Sequence, residues 1–461
     1  MDDRVQWLIG KSVAVVGISV STVPLIRYLV SLGVEVTACD RKGAEELGER
    51  HRQVAALPIA LRLGPAYLNG LEEFEVIFLS PGIKRHQPPL EAARRAGAHF
   101  YSDTELFFDL CPAPIIAITG SAGKTTTTTL VGEMMKRAGH VTHVLGNIGN
   151  PLFGGLPAIR PGDKVVLELS SFQLMPLRRS PHLALVTNLS PNHLDYHADM
   201  AEYVAAKTNI YRHQGAGDRV VLNYDNQITR EMAVEAGDRV VFFSRCSDLP
   251  EGACLVDGEL AWRMRGHEER VLPASELIIP GQHNVENALA ATALASLAGA
   301  DISSIRQVLA SFRGVEHRLE LVRELDGVKY YNDSIGTAPD RTLAALDTLP
   351  DPLVLILGGS DKKSDFAELA AAVVEKARAV ILCGQTASRL REALAAADPS
   401  GRLEVIECSD YPEVVATARR LARPGEIVLL SPACPSFDRF TNFEERGRVF
   451  KDLVNALGVD G

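Results

Sequence analysis

Short, strongly apolar runs recur along most of the chain, and each is followed by a longer segment whose apolar residues fall at helical spacing. The runs SVAVVG (12–17), EVTACD (35–40), EVIFLS (75–80), PIIAITG (114–120), KVVLELS (164–170), LALVTN (183–188), PLVLILGG (352–359) and EIVLLS (426–431) predict β-strands. Strands that alternate with helices predict parallel sheets covered by helices, an α/β fold class. Two breaks stand out. CPAP (111–114) stops the helix-like DTELFFDL, and FRGVEH (312–317) follows an Ala-rich helix region over 284–311. They predict domains over 1–111, 112–312 and 313–461. The length of 461 residues agrees, at about 100–200 residues per domain.

Composition narrows the function classes. Apolar residues at 46% and charged residues at 23% fit a globular enzyme. The net charge of −10 argues against a nucleic-acid partner, which usually meets a basic stripe. Any phosphate site must therefore draw on local backbone amides, a few cations and metal ions. The seven cysteines include no CxxC pair, which favours a reduced, cytoplasmic setting over a disulfide framework. The start, MDDRVQWLIGKS, is acidic and does not read as a signal peptide, and no apolar run approaches the roughly 18 residues of a membrane span.

The clearest chemistry lies in PIIAITGSAGKTTTTTLVGEMMKRAG. A strand runs into TGSAGKTT and then into a helix. Gly120 and Gly123 let the backbone turn tightly around an anion, and the helix N-terminus adds its dipole. Lys124 can reach terminal phosphates, and Thr125 can place a hydroxyl on Mg²⁺. The GxxxxGK[ST] spacing is incomplete, because Ile118 stands at the first glycine position. Five consecutive threonines are poor helix formers, so something other than propensity keeps them there. Glu168, in ELSSFQL (168–174), falls at the end of the next apolar strand, where parallel sheets place ligands; beside a triphosphate it calls for a divalent cation. His193 follows another apolar strand, and Lys207 lies in the helix-like AEYVAAKTNIYR; by residue type alone each is more often structural. Near the start, Gly17 keeps one glycine of a GxGxxG turn, but Ser19 and Thr22 replace the others, which weakens a dinucleotide reading.

TGSAGKTT and ELSSFQL together resemble the Mur ligase family, the second string its D-glutamate-adding branch. Most of that family has Asn where Ala122 stands. The resemblance runs in order along nearly the whole chain, with SPACPSFDRFTNFEERG (431–447) the other selective string. It implies a Rossmann-like N-terminal domain, a central P-loop ATPase-like domain with a mainly parallel sheet, and a Rossmann-like C-terminal domain. It also implies ATP and Mg²⁺ as cofactors, with UDP-N-acetylmuramoyl-L-alanine and D-glutamate as substrates of a monomeric enzyme. For ATP it implies Gly120, Ser121, Ala122, Gly123, Lys124, Thr125, Thr126, Asn284, Asn287, Arg318 and Asp333. For the UDP substrate it implies Gly17, Ser19, Asp40, Arg41, Ser80, Pro81, Gly82, Ile83, Asn147 and His193. For D-glutamate it implies Thr337, Lys362, Ser436 and Phe443. Thr125, Glu168, His193 and a carbamylated Lys207 would hold metal, and Lys124, Glu168, His193 and Lys207 would be catalytic. Many relatives have Lys where this chain has Ile335.

The implied chemistry is amide formation through an acyl phosphate, in peptidoglycan precursor synthesis. A folylpolyglutamate synthetase shares the phosphate loop, but a complete UDP domain argues against it. A non-catalytic nucleotide switch has no use for a second metal, which Glu168, His193 and Lys207 together suggest. A dinucleotide oxidoreductase conflicts with Ser19 and Thr22.

Overall fold

The computed structural model describes residues 3–148, 150–191, 196–349, 352–361 and 364–458. All eight apolar runs form strands: Val13–Val16, Val36–Asp40, Val76–Leu79, Ile115–Thr119, Lys164–Glu168, Leu183–Val186, Leu353–Leu357 and Ile427–Leu430. Most are buried on both faces, which is why they read as continuous rather than alternating hydrophobic stretches.

Among the described residues, three sheets result. The first has five parallel strands, in the order Ala60–Leu63, Val36–Asp40, Val13–Val16, Val76–Leu79, His99–Tyr101. The order reverses beside Val13–Val16 and opens a crevice at the carboxyl ends. The second has nine strands, with Ile115–Thr119 between Lys164–Glu168 and Leu183–Val186, all parallel. Its far edge is an antiparallel extension, Gly252–Val256, Glu259–Met264 and His267–Pro273, the last exposed over its first three residues. The third has six strands, parallel except for Glu320–Leu325 against Val328–Asn332, with apolar cores on both faces.

The Ala-rich region 284–311 is two helices rather than one, Gln282–Ala298 and Ile302–Ser311. Gly299 turns at φ +100°, and the Asp301 carboxylate accepts the Ser304 amide at 2.9 Å, capping the second helix. The threonine run lies in the helix Lys124–Arg137, where Thr127 and Thr128 are fully buried, so packing outweighs propensity. The chain divides into two compact units, Met1–Glu276 with Val285–Ala310, and Leu277–Asn284 with Ser311–Gly461. The first two sheets lie in the first unit and the third in the second. Among the described residues no helix is long and apolar enough to cross a membrane.

Candidate active site

The strand Ile115–Thr119 hands the loop Gly120–Gly123 to the N-terminus of the helix Lys124–Arg137. Gly120 and Gly123 have φ of +150° and +80°, and a Cβ on either would collide, with Thr187 Oγ1 and Asn287 Oδ1 respectively. Glycine is thus demanded by conformation and by close approach. Lys124 Nζ curls into the loop, donating to the carbonyls of Gly120 at 2.9 Å and Ser121 at 3.1 Å. Thr125 and Thr126 occupy the first helical turn, half-buried. Asn188 brackets Ala122: its Oδ1 accepts the Ala122 amide at 3.0 Å, and its Nδ2 donates to the Ala122 carbonyl at 3.3 Å. The Asn188 carbonyl accepts the Ser121 amide at 2.8 Å, and Thr187 donates to the Ala122 carbonyl at 2.6 Å. Sequence reasoning missed Thr187 and Asn188, although a polar pair directly after a buried strand was a usable signal.

Lys207 meets this loop, and Glu168 ends the neighbouring strand, opposite Ile118. Glu168 is 1% exposed. Its Oε1 accepts from Asn147 Nδ2 at 2.9 Å, and Oε2 has no hydrogen-bond partner among the described residues. Asn147, expected at the UDP substrate, thus sits against this carboxylate. A buried, unpartnered carboxylate oxygen is costly, and a divalent cation would satisfy it. Among the described residues no cluster of three His, Cys, Asp or Glu could hold a metal. Mg²⁺ needs none, because one carboxylate, phosphate oxygens and water suffice. The donor set therefore fits.

Lys207 is buried in the helix Met200–Arg212, not solvated. Its Nζ donates to Thr119 Oγ1 at 3.0 Å and to the Gly120 carbonyl at 2.9 Å, and lies 4.9 Å from the centre of the Tyr203 ring. Burial and the neighbouring Lys124 hold its amine well below the usual lysine range, against an opposing pull from Glu168. Tyr203, also unforeseen, shares a 3.0 Å hydrogen bond with Ser121 Oγ. His193 lies outside the described residues.

In the first sheet, Gly17, Ser19, Asp40, Arg41, Ser80, Gly82 and Ile83 line a cavity of about 680 Å³ at the strands' carboxyl ends. Gly17 has φ +97°, and a Cβ there would meet Ser80 Cβ at 2.7 Å. Thr22, in place of a fingerprint glycine, closes the turn by donating to the Gly17 carbonyl at 2.6 Å and accepting the Ser19 amide at 2.8 Å. Asp40 accepts the amides of Ile18 at 2.6 Å and Lys42 at 2.8 Å, so its carboxylate shapes the crevice. Arg41 is exposed, and Pro81 lies in the same loop as Ser80, Gly82 and Ile83.

In the second unit, Asn284 lies inside its helix and donates to the Pro280 carbonyl at 2.6 Å. Arg318 sits in a strained turn between His317 (φ +63°) and Leu319 (φ +41°). Asp333 is buried; it accepts from Ser431 Oγ at 2.7 Å and from the Leu319 amide at 3.2 Å. Thr337 follows in the same loop, half-buried; Ser436 is buried; and Phe443 begins the helix Phe443–Ala456. Arg446, not singled out from sequence, is almost fully buried. It ties two loops together, through Ser334 Oγ at 2.9 Å, the Ser334 carbonyl at 2.8 Å and the Cys434 carbonyl at 3.0 Å. Lys362 lies outside the described residues.

Burial pushes the Asp333 carboxyl up to about 6, over the opposing pull of its hydrogen bonds and of Arg318. A raised acid pKa means that the fold favours the protonated form. That stability is complete below about pH 4 and is lost as pH rises through about 6. Asp333→Asn removes the penalty, worth at most ~3 kcal/mol for a shift of about two units. We expect the variant's unfolding midpoint at pH 8 to exceed the parent's by a few degrees, with the two converging near pH 4. A lower midpoint at pH 8 would contradict it.

A glycine loop at a helix N-terminus, a strand-end carboxylate with an open oxygen and a buried lysine, on three α/β domains, have the layout of a nucleotide-dependent phosphoryl-transfer enzyme. Residues 118–295 match the Mur ligase middle domain, residues 317–434 the Mur ligase, glutamate ligase domain, and residues 11–102 the Mur ligase MurD-like, N-terminal domain. The chain belongs to the Mur ligase family. It is 53% identical to a UDP-N-acetylmuramoylalanine–D-glutamate ligase of Symbiobacterium thermophilum, over 96% of this chain and 98% of that one. It is 47% identical to the protein of the same name from Acetivibrio thermocellus, over 99% of each. Among solved structures, a UDP-N-acetylmuramate-alanine ligase of Thermotoga maritima shares the fold, with a TM-score of 0.56 at 21% identity, covering 97% of this chain and 99% of that one.

Proposed function

We propose that this protein is an ATP-dependent ligase that adds D-glutamate to UDP-N-acetylmuramoyl-L-alanine in peptidoglycan precursor synthesis. One observation carries this: Lys124, Glu168 and Lys207 converge on one end of the central sheet, in a chain whose full-length relatives bear that ligase's name. A carboxylate is a poor electrophile. Transfer of ATP's terminal phosphoryl group to the L-alanine carboxylate makes an acyl phosphate and ADP. The amine of D-glutamate, having lost a proton, attacks the acyl carbon; the amide forms and phosphate leaves. Catalysis here is mainly positioning and charge stabilisation, so no protein nucleophile is needed.

Within this proposal, residues 120–126 cradle ATP's phosphates, and Lys124 balances their charge. Asn284 and Asn287 serve the adenine, Arg318 the phosphates and Asp333 the ribose. The crevice of Gly17, Ser19, Asp40, Arg41 and Ser80–Ile83 takes the UDP group, with Asn147 and His193 toward the muramoyl end. Thr337, Lys362, Ser436 and Phe443 receive D-glutamate. Thr125, Glu168, His193 and a carbamylated Lys207 would hold Mg²⁺, which when bound neutralises charge on the transferring phosphoryl oxygens. The domains are assigned as 1–111, 112–312 and 313–461. The enzyme acts as a cytoplasmic monomer without a nucleic-acid partner.

The test is phosphate release from ATP with UDP-N-acetylmuramoyl-L-alanine and each candidate amino acid. We expect release with D-glutamate and its loss under excess chelator. Release with a different amino acid, and none with D-glutamate, would assign the chain to another branch of the family.

A further inference from the structure

The segment leading into the helix Met200–Arg212 carries an aromatic residue that the chemistry above does not use. The hydroxyl of Tyr196 lies 3.2 Å from the Pro81 carbonyl and 3.0 Å from the Ile83 carbonyl. Both carbonyls belong to the loop that walls the crevice of the first sheet, whereas Tyr196 belongs to the central sheet's domain. A phenol has one proton, so this is a shared bond that fixes the two carbonyls relative to each other. Burial raises the phenol's pKa, which keeps the donor protonated.

The ring is held from the other side. Its centroid is 4.3 Å from that of Phe172, which begins four residues beyond Glu168. Phe172 in turn stacks on His197 at 5.5 Å and 14°, and His197 Nε2 pairs with Ser171 Oγ at 2.9 Å. A continuous set of contacts thus joins the crevice loop to the residues just after the Glu168 strand end. Among the described residues, the loop's own backbone bonds run from the Ser80 amide to the Val16 carbonyl at 2.9 Å and from the Ile83 amide to the Ser80 carbonyl at 3.0 Å. The Tyr196 hydroxyl adds an anchor from outside the first sheet at the Pro81 and Ile83 carbonyls.

We propose that Tyr196 is a positioning residue for the nucleotide end of the substrate, its hydroxyl setting the Ser80–Ile83 loop from the central domain. The proposal rests on the assignment of this crevice to the UDP group. Phenylalanine at 196 keeps every ring contact and removes only the donor, so the fold is retained.

For Tyr196→Phe we expect the KM for UDP-N-acetylmuramoyl-L-alanine to rise roughly 3–10-fold, the worth of one neutral hydrogen bond. The KM values for ATP and D-glutamate stay unchanged. On 1-phospho-N-acetylmuramoyl-L-alanine, which lacks the uridine, parent and variant have equal kcat/KM. Calorimetric titration with UDP separates the two layers of the argument. If UDP does not bind the parent, the crevice assignment falls and the proposal with it. If UDP binds the parent, and the variant equals the parent in UDP affinity and in KM, the crevice stands and the proposal is overturned. An equal loss on the full and truncated substrates would also overturn it, by marking a general structural defect.

Discussion

Lys124→Ala lowers phosphate release by about a hundredfold or more, the usual consequence of losing preorganised charge at a developing anion. The expectation comes from where the ammonium sits. Its Nζ donates to the carbonyls of Gly120 and Ser121, inside the turn that the two glycines create. The chain as a whole is acidic, so positive charge at the terminal phosphates must be local. The amides of Ser121 and Ala122 already bond to Asn188, which leaves the loop more dependent on this lysine. The loss should appear in kcat, with the KM for the UDP substrate nearly unchanged, because that substrate's nucleotide end is assigned to a different sheet. Lys124→Arg should not restore full activity, since a planar guanidinium is a poor replacement for a compact ammonium within a tight turn. Near-normal phosphate release from the alanine variant would refute the placement of ATP at this loop.

How much of this was legible beforehand follows from what a sequence can carry. The eight buried strands were visible because burial on both faces leaves an uninterrupted apolar run, and Gly17, Gly120 and Gly123 were visible because glycine is the residue for their φ angles. The hairpin strands Glu259–Met264 and His267–Pro273 were not, since each mixes charged and apolar residues. The residues that hold the sites in place were hardest to see. Asn188, Tyr196, Tyr203 and Arg446 act through contacts to residues distant in sequence, Arg446 reaching back 112 residues to Ser334. A charged residue in a helix reads as solvated, and nothing local marks Arg446 as buried. The same limit applied to Lys207: residue type suggested a surface lysine, the resemblance to the Mur ligases suggested otherwise, and its burial supports the second.

Lys207→Ala should nearly abolish activity, and a short-chain carboxylic acid should restore part of it. The reason is a crowding of charge. Lys124 Nζ and Lys207 Nζ each lie 2.9 Å from the same acceptor, the Gly120 carbonyl oxygen. Two ammonium groups that share one oxygen stand within roughly 6 Å of each other, where repulsion is on the order of a few kcal/mol even at a high effective dielectric. Mg²⁺ at Glu168 would add to it. Burial and Lys124 both favour the neutral amine of Lys207, and a neutral amine is the form that reacts with CO₂. In the proposed carbamylation, nitrogen would attack the carbon of CO₂ and release an N–H proton, giving an N-carboxylate with one remaining N–H. That N–H can still donate to Thr119 Oγ1 or to the Gly120 carbonyl, while the new oxygens supply the ligand type that Mg²⁺ prefers. Carbamylation would turn a charge that repels both Lys124 and a metal into one that attracts both. Alanine leaves a cavity in which acetate or propionate can place a carboxylate, so added acid should raise the rate of Lys207→Ala and not that of the parent. Lys207→Arg should stay inactive with or without acid, because it keeps the cation. An alanine variant as active as the parent, or one whose loss no acid relieves while Lys207→Arg retains activity, would exclude the carbamate and leave Lys207 as a structural amine bridging Thr119 and Gly120.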